Sequence, residues 1–524
     1  MTWKWMERLF PAQPEPEPLW MAPEAQLSRS DRLMWMLDDL RSPRWGTLAA
    51  ERLRDEVGAL SPAEWARLDE LMRARMEGYS GIHAPAWIRD AADVRRLVLA
   101  EETGAAVLGL ISTHPSGYVR EAAIQRLSLM NGGAELPPLL LRANDWVPQV
   151  RARAVDALHA RRVEAYAPHW VRSLALVLHL RRCGRQDHRP LVDGVLALLR
   201  SPAAREHVRG GLASPEGTVR RACFRILLDA GGPELPALLR DALGGDDAML
   251  RLLAAQAAAG LDEVALAQLL PRMLADSFGR VRLTALQLGA ERMGAGVLPA
   301  LRQGLLDRSP TLRADARAAL QWLEPTDLAA FYRAHVIARA AHLPAVIAGV
   351  AETGGAEDAA LLAPLLDDAR PRVRAAALRA LVRLTGDAAV PALVRAVGDA
   401  SPAVSHAAAL ALRPRVVRAQ AAALDAWLGG SHPMHVRRNA LGLLALRGKW
   451  DAIGWILTTL TDADPELRQA AANHFRRWHA RFNRSFSQPG AEQRERIRAA
   501  LERSGSALPP QDLRWLRFVA GIAS

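Results

Sequence analysis

The chain has 524 residues and a formal net charge of +12, with 50% apolar, 24% charged and 5% aromatic residues. This apolar fraction is ample for a folded core and argues against disorder, while two cysteines, Cys183 and Cys223, exclude a disulfide scaffold and any four-thiolate metal site. Because no uncharged apolar run approaches 18 residues, we expect no membrane-spanning helix and a reducing, cytoplasmic location.

Residues 1–27 are rich in aromatic residues and proline and are predicted to form a flexible segment. Residues 1–10 carry Trp3 and Trp5, and residues 11–18 (PAQPEPEP) have the composition of a polyproline spacer. The aromatic side chains would cap the first helices or, alternatively, dock on a partner or a membrane surface. The single positive charge of Lys4 gives little support for lipid binding.

Residues 28–104 are predicted to be helical without a clean repeat. Ser61-Pro62-Ala63-Glu64 has the form of a capping box that opens a helix reaching residue 76, and helices are also predicted over residues 31–40 and 45–57. Because the ends of a repeat array must seal its apolar core, we interpret this region as degenerate N-terminal capping repeats.

One pattern recurs over residues 105–485: D-x-x-P-x-[VL]-R followed by an alanine-rich apolar run. Its copies begin at five aspartates, the fourth of them with serine in place of the arginine: Asp145, Asp307, Asp368, Asp399 and Asp462. The apolar–Arg pair alone marks further positions, and seven of its nine intervals are 31 or 32 residues; the other two, 69 and 61 residues, are close to double steps. The sequence therefore predicts about twelve repeats, with degenerate copies near residues 180–182 and 343–346.

Each part of the pattern has a mechanical reason. A unit of this length fits two helices of about 12 residues joined by short turns. The aspartate can accept hydrogen bonds from free N–H groups at a helix start, and the proline three residues later lies in the first turn, where its missing N–H costs nothing. After the proline, apolar residues such as Val373, Ala377, Leu378 and Leu381 recur on one helical face. No segment alternates with period two, so the predicted fold class is all-α.

The D-x-x-P-x-V-R turn followed by an alanine-rich helix resembles the HEAT repeat, in the short bacterial form often called the phycobilisome-lyase HEAT-like repeat. The resemblance covers residues 105–485, about three-quarters of the chain. It implies an α-solenoid, a superhelix of about twelve antiparallel helix pairs in which each repeat contacts its neighbours, with atypical capping helices at both ends.

Residues 486–524 are predicted to close the C-terminal end as capping helices. After a loop at residues 485–490, a charged helix is predicted over residues 491–503 and a shorter one over residues 509–522. Apolar residues of the second helix, among them Leu516, suit a cap.

The arginine of each repeat is predicted to have a structural role. The positive charge is almost entirely arginine, whose planar fork can bind a carboxylate bidentately. Because these arginines recur at one position of the unit, we expect them to pair with turn aspartates of the same or the adjacent repeat and so form a ladder. The predicted ladder residues are Asp145, Arg151, Asp276, Arg282, Asp307, Arg313, Asp368, Arg374, Asp462 and Arg468.

A first arginine cluster beyond the ladder is a candidate surface for an anionic partner. Residues 142–225 hold 16 arginines against 7 acidic residues. The densest part comprises Arg161, Arg162, Arg172, Arg181, Arg182, Arg185 and Arg189. These side chains predict either a solvated convex face or a stripe that binds a phosphate backbone or an acidic protein surface.

A second cluster lies in residues 470–491, which contain no acidic residue. Arginines alternate there with aromatic residues, a combination that suits base stacking with phosphate neutralisation. The candidate binding residues are Arg476, Arg477 and Arg481. Because Phe475, Trp478 and Phe482 share one helix face, core packing is the favoured role of the rings.

Motifs typical of enzyme active sites are absent from the sequence, which has no Gly-rich phosphate loop, no G-x-S-x-G and no H-E-x-x-H. None of the 14 histidines is followed by glutamate, the pair through which hydroxylases of this fold bind iron. Pro433 places His432-x-x-His435 in a loop rather than on one helical turn, which argues against a metal site there. No cofactor and no metal are therefore predicted.

The predicted function is a non-enzymatic scaffold for protein–protein interaction that binds a protein partner along an extended solenoid surface. The alternative is nucleic-acid binding through the arginine-rich face, which would weaken steeply with salt. A HEAT-like DNA glycosylase is the least favoured interpretation, since it would need a carboxylate beside aromatic side chains in a cleft.

Overall fold

The structure is a computed structural model that describes residues 17–21, 27–76, 87–416, 421–504 and 507–522. These ranges contain α-helices and short 3-10 turns and no strand, so the all-α prediction is confirmed. The chain divides into two compact units, Met1–Leu261 and Asp262–Ser524. The aromatic segment expected over residues 1–10 lies outside the described residues.

Unit 1 begins with helices that precede the repeats and continues with helix pairs. Its α-helices are α1 (Arg29–Asp38), α2 (Gly46–Gly58), α3 (Pro62–Met76), α4 (Ala91–Arg96), α5 (Glu101–Ile111), α6 (Gly117–Leu127), α7 (Leu136–Arg142), α8 (Pro148–Ala160), α9 (Ala167–Arg172), α10 (Leu174–Leu180), α11 (Arg189–Leu199), α12 (Arg205–Gly210), α13 (Gly217–Ala230), α14 (Leu235–Gly244) and α15 (Ala248–Ala257).

Unit 2 consists of helix pairs followed by two closing helices. Its α-helices are α16 (Glu263–Leu274), α17 (Gly279–Arg292), α18 (Leu298–Gly304), α19 (Pro310–Leu323), α20 (Leu328–Ile337), α21 (Leu343–Thr353), α22 (Ala359–Leu362), α23 (Pro371–Thr385), α24 (Val390–Val397), α25 (Pro402–Leu412), α26 (Ala421–Asp425), α27 (Met434–Leu444), α28 (Lys449–Thr459), α29 (Pro465–Ala480), α30 (Ala491–Ser504) and α31 (Pro510–Ala520).

The repeat at Asp307 shows how the sequence pattern forms these elements. The Asp307 carboxylate accepts a hydrogen bond from the Ser309 backbone N–H (2.7 Å), and Ser309 Oγ accepts one from the N–H of Leu312 (3.4 Å). Pro310 occupies the first position of α19, where no intrahelical bond is lost. The motif therefore turns the chain and starts the second helix of the pair.

Second helices stack on one another from repeat to repeat in unit 2. Each of α21, α23, α25, α27 and α29 packs against the next, and first helices such as α24 pack against the second helix of their own pair. The stripe that the sequence predicts on α23 is buried at Val373, Ala377 and Leu378. This packing between neighbours is that of an α-solenoid, which confirms the predicted architecture.

The degenerate and terminal regions are helical as well. Helix α10 ends at the first degenerate position and α21 begins at the second. The capping box at the start of α3 is formed, since the Ser61 N–H donates to Glu64 Oε2 (2.9 Å) and the Glu64 N–H donates to Ser61 Oγ (3.3 Å). At the other end, Leu501 of α30 and Leu516 of α31 are buried. Among the described helices, none is long and apolar enough to cross a bilayer.

Candidate functional site

The repeat arginine binds two turns at once. Arg282 Nη1 donates to the carbonyl oxygens of Asp276 (2.7 Å) and Ser277 (3.2 Å), which precede its own helix. Its Nε and Nη2 donate to the two carboxylate oxygens of Asp307 in the next repeat, both at 2.8 Å. One side chain therefore joins two successive turns.

The same arrangement recurs with an Arg-to-Asp separation of 25 residues, and we call these ion pairs rungs. The rungs are Arg120–Asp145, Arg282–Asp307, Arg374–Asp399 and Arg437–Asp462. Arg220 joins two turns in the same way but reaches Asp247, 27 residues ahead. Arg333 also binds an aspartate 25 residues ahead, Asp358, but it lies on the first helix of its pair, α20. As Arg282 does with Asp276, Arg374 donates to the carbonyl oxygen that precedes its helix, here that of Asp368 (2.8 Å).

Three of the expected ladder arginines bind groups other than an aspartate of the next repeat. Their partners are Gln186 Oε1 for Arg151 (3.1 Å), Glu352 Oε2 for Arg313 (3.2 Å), and the carbonyl oxygens of Asp462 (2.8 Å) and Ala463 (2.9 Å) for Arg468. The ladder thus varies in chemistry along the chain, from carboxylate to neutral amide.

Burial and pairing with arginine shift the pKa of a rung carboxylate in opposite directions, as Asp307 shows. Burial alone would raise the pKa of Asp307, but the hydrogen bonds from Arg282 and from the Ser309 N–H hold it below its ordinary value. The hydrogen bond to Asp307 raises the pKa of Arg282. Both groups are charged at neutral pH and satisfy each other, so the rung arginines do not form a ligand-binding surface.

Arg161, expected on an anion-binding surface, is instead buried, with 4% of its surface exposed. Its Nε donates to Glu135 Oε1 (2.8 Å), a carboxylate that is itself fully buried, and its Nη1 donates to the Ala157 carbonyl (2.7 Å). Trp170 Nε1 in turn donates to the Arg161 carbonyl (2.8 Å). The prediction for Arg161 is wrong, because this side chain is a packing element of unit 1.

The other arginines of the first cluster are exposed but dispersed. Arg162 and Arg182 are exposed, and the remaining contacts are those of Arg172 with His169 (2.7 Å), Arg181 with Asp193 (2.7 Å), Arg185 with the Asn144 carbonyl (3.0 Å) and Arg189 with Asp187 (2.9 Å). Arg172 and Arg185 line two different cavities of about 600 and 500 Å³. The structure does not bring this cluster together as one site.

The second cluster borders a cavity of about 1340 Å³ in unit 2, which we call the basic groove. It is formed along α25, α27 and α29, the second helices of three successive repeats, and by residues that follow these helices. Its ionisable lining residues are His406, Arg413, His435, Arg438, Lys449, Glu466, His474, Arg477 and Arg481. Five permanent cations and three histidines therefore face one carboxylate.

The arginines of the basic groove are not neutralised by the protein. The four arginines that line the groove, Arg413, Arg438, Arg477 and Arg481, are exposed, and their guanidinium groups make no hydrogen bond or ion pair with another described residue. By contrast, Arg415 is bound to Asp387 (2.9 Å). Arg476, the third arginine expected here, does not line the groove and donates to Asn473 Oδ1. Converging unpaired cations of this kind attract anions.

The aromatic residues of this region pack against one another, and two of them, Trp478 and Phe482, also line the groove. Phe475 and Trp478 are buried, which confirms the role that their spacing predicts. Trp478 Nε1 donates to the Lys449 carbonyl (2.8 Å), and its ring meets that of Trp515 edge to face at a centroid distance of 6.0 Å. The half-buried ring of Phe482 has Lys449 Nζ at 3.4 Å from its centroid. These rings are occupied by protein contacts.

Lys449 fixes the segment that follows α29. Its Nζ donates to the carbonyl oxygens of Phe482 (3.0 Å) and Ser485 (2.9 Å), while Trp450 Nε1 donates to the Ser487 carbonyl (2.8 Å). Burial lowers the pKa of Lys449. Phe486 lies within this tied segment and is 93% exposed. The lysine thus builds one wall of the basic groove.

His474 lies beside the unpaired Arg477. Burial, and after it the positive charge of Arg477, lowers the pKa of His474 below its ordinary value. The lowered pKa favours the neutral imidazole, which can offer a hydrogen bond to a ligand without adding charge.

The two histidines at the start of α27 do not form a metal site. No group of three metal-ligating side chains occurs among the residues that the structure describes. His435 Nε2 lies 3.0 Å from the Asp399 carbonyl oxygen, to which it donates, and the His432 ring packs edge to face against Trp427.

Arg413 and Arg438 lie in the groove with Arg477 but are not among the binding residues predicted from the sequence. A signal was present: when the repeats are aligned on their apolar–Arg pairs, these arginines fall at variable positions of successive second helices. Whether these arginines share one surface depends on which way each helix faces. The sequence does not give this orientation, and the stacked helices of the structure do.

HEAT_2, a family described as HEAT repeats, matches residues 358–433, which include helices α23 to α25. No curated protein matches the chain.

Similar solved structures include Kap95p with RanGDP, which is 12% identical with a TM-score of 0.39 over 93% of this chain and 70% of that chain. Importin beta is 12% identical with a TM-score of 0.38, covering 91% and 69% of the two chains. For a C-terminal fragment of the Chaetomium thermophilum cohesin loader SCC2, identity is 14%, the TM-score is 0.31, and 90% and 43% are covered. The chain thus spans less than half of that fragment, and at these scores the likeness carries no argument about function.

The repeating turn and the stacked second helices show an all-α solenoid, of which residues 358–433 match a family of HEAT repeats.

Proposed function

We propose that the chain is a non-enzymatic interaction scaffold whose basic groove binds an acidic segment of a partner protein. The proposal is carried by one observation, the four unpaired and exposed arginines around a cavity that has a single carboxylate. Arginine is weakly hydrated and binds carboxylates bidentately, so a ligand that brings carboxylates gains strong contacts here. Repeat solenoids suit this role because their extended surface holds a segment without a closed pocket.

The lining of the basic groove favours a protein ligand over a nucleic acid. Apolar residues share the surface with the arginines, namely Leu410, Ala445, Leu446 and Ala470. Sites for single-stranded nucleic acid combine positive charge with rings on which bases stack. Trp478 and Phe482 line the groove, but Trp478 is buried and packs against Trp515, and the Phe482 ring is covered by Lys449 Nζ. A peptide that carries both carboxylates and apolar side chains matches this mixed lining.

Binding of a fluorescein-labelled polyglutamate peptide to the full chain tests the proposal by fluorescence anisotropy. A peptide of about 12 residues spans about 40 Å when extended, enough to cross the groove. The double variant Arg438→Glu/Arg477→Glu should weaken binding by at least about tenfold, because each reversal replaces a charge-assisted contact by repulsion.

A matched control distinguishes the loss of groove contacts from the change in the net charge of the chain. Arg395→Glu/Arg498→Glu makes the same change in charge at exposed positions outside the groove and should bind as the unchanged chain does. Equal weakening in both double variants would refute the groove as the site. Failure to bind polyglutamate, together with salt-sensitive binding of an oligothymidine of similar length, would show that the ligand is a nucleic acid.

A further inference from the structure

Three side chains at corresponding places in the basic groove form a line across the repeats. Arg413 directly follows α25, Leu446 lies two residues beyond α27, and Arg477 lies in the last turn of α29. All three line the groove and are exposed, Leu446 by 50%. We call them the groove row, which reads cation, apolar, cation.

The spacing of the groove row follows from helix packing. Helix α25 packs on α27, and α27 packs on α29. Packed helices lie about 8–10 Å apart, so the two arginines are about 16–20 Å apart with Leu446 midway. An extended chain rises about 3.3 Å per residue, and a polyproline-type chain about 3.1 Å. In a bound peptide, the two side chains that meet the arginines are therefore about six positions apart in sequence. The side chain that meets Leu446 lies about three positions from each of them.

We propose that the basic groove selects an extended peptide with the pattern acid-x-x-apolar-x-x-acid, whose two carboxylates bind Arg413 and Arg477 while the apolar side chain covers Leu446. This inference rests on the proposed function and adds to it the spacing of the partner's residues. A polyproline-type chain fits well, because three residues complete one turn and every third side chain faces the same way.

Of the remaining charges of the groove, Arg438 and Glu466 lie away from the row, whereas Arg481 comes four residues after Arg477 and Lys449 three residues after Leu446. Arg438 is in the second turn of α27, eight residues before Leu446, which corresponds to about 12 Å along a helix. The groove carboxylate, Glu466, is at the start of α29, eleven residues before Arg477 and so about 16 Å away. Arg438 therefore raises the attraction of any acidic peptide without setting its spacing.

Blocked peptides of identical composition test the spacing by isothermal titration calorimetry with the full chain. The spaced peptide is EAPLPAE and the clustered one is APEELPA, which can place one carboxylate but not both on the groove row. We expect the spaced peptide to bind about tenfold more tightly, which is the loss for one charge-assisted hydrogen bond. EAPSPAE, which lacks the apolar group, should bind more weakly than EAPLPAE.

Variants of the chain provide the controls. Arg413→Glu/Arg477→Glu should reject EAPLPAE and bind the charge-swapped KAPLPAK, whereas Arg438→Ala should weaken the spaced and clustered peptides by the same factor. Equal binding of these two peptides to the unchanged chain would overturn the spacing and leave the proposed function standing. Binding of polyglutamate without binding of EAPLPAE would likewise overturn the spacing and leave the proposed function standing. If no acidic peptide binds, both proposals are refuted.

Discussion

Replacing Arg120 by methionine tests whether the rungs hold successive repeats together. Arg120 is fully buried and makes four hydrogen bonds, two to the Asp145 carboxylate (2.8 and 2.9 Å) and two to the carbonyl oxygens of His114 (2.9 Å) and Pro115 (2.7 Å). Methionine keeps much of the volume and removes all four. The change in stability then reports on the polar contacts together with the packing of the guanidinium over the Trp146 ring.

The magnitude depends on what remains around the carboxylate. Removing one partner of a buried ion pair costs about 3–5 kcal/mol, because the other charge is left without compensation. Here Asp145 still accepts from Arg142 Nη1 (3.0 Å) and the Val147 N–H (2.9 Å), so we expect the lower end, about 3 kcal/mol. At about 1.4 kcal/mol per factor of ten, this is roughly a hundredfold loss of protection.

Hydrogen exchange followed by mass spectrometry can locate the loss. Amides of α6 and α8, the second helices that the rung connects, should exchange about a hundredfold faster, while those of α19 in unit 2 should be unchanged. The control is Arg395→Met, whose guanidinium lies 4.0 Å from Asp367 with both groups largely exposed, so its loss costs only about 0–1 kcal/mol. Equal protection in the two variants would refute a stabilising role for the rungs.

Three further predictions concern unit 2. The pKa of Asp307 is lower in the folded chain than its unfolded value of about 3.9, so its contribution to stability is present above that pH and is lost as the pH falls through the folded pKa. In the variant Asp307→Asn, the urea concentration at the unfolding midpoint should therefore decrease less steeply below about pH 4. An unchanged decrease would contradict this. Arg477→Ala should raise the pKa of His474 towards, but not to, its ordinary value, since burial remains; an NMR titration of labelled histidine that shows no upward shift would oppose the assignment. Lys449→Ala should release the segment that it ties and speed chymotrypsin cleavage after Phe486, and unchanged cleavage would show that the lysine is not needed to hold it.

The fold could be predicted from local sequence because the contacts that form each repeat lie within that repeat. The Asp307 turn, the proline at the start of α19 and the apolar stripe of α23 each depend on residues within one unit, and the structure forms them as expected. The same holds for the capping box of Ser61 and Glu64 and for the buried face of Phe475 and Trp478. Contacts between residues close in the sequence produce recurring residue patterns, and such patterns can be recognised without a structure.

The features that could not be predicted depend on contacts between distant residues. Arg161 is indistinguishable from its exposed neighbour Arg162 until Glu135, 26 residues upstream, is known to lie against it. The basic groove joins Arg413, Arg438 and Arg477 from three repeats, and only the stacked helices show that they converge. The boundary after Leu261 falls inside the expected array of residues 105–485, with no composition change to mark it.

The spacing that four rungs share has a genetic consequence. The rung of Arg120, like those of Arg282, Arg374 and Arg437, reaches an aspartate 25 residues ahead. Unequal recombination that duplicates or deletes one whole unit preserves this distance, so copy number can change without any new interface having to evolve. Arg313 instead reaches Glu352, 39 residues ahead, and the same exchange across that interval would separate the pair. Gene lengths among relatives should therefore vary by whole units, with breakpoints avoiding the stretch from Arg313 to Glu352.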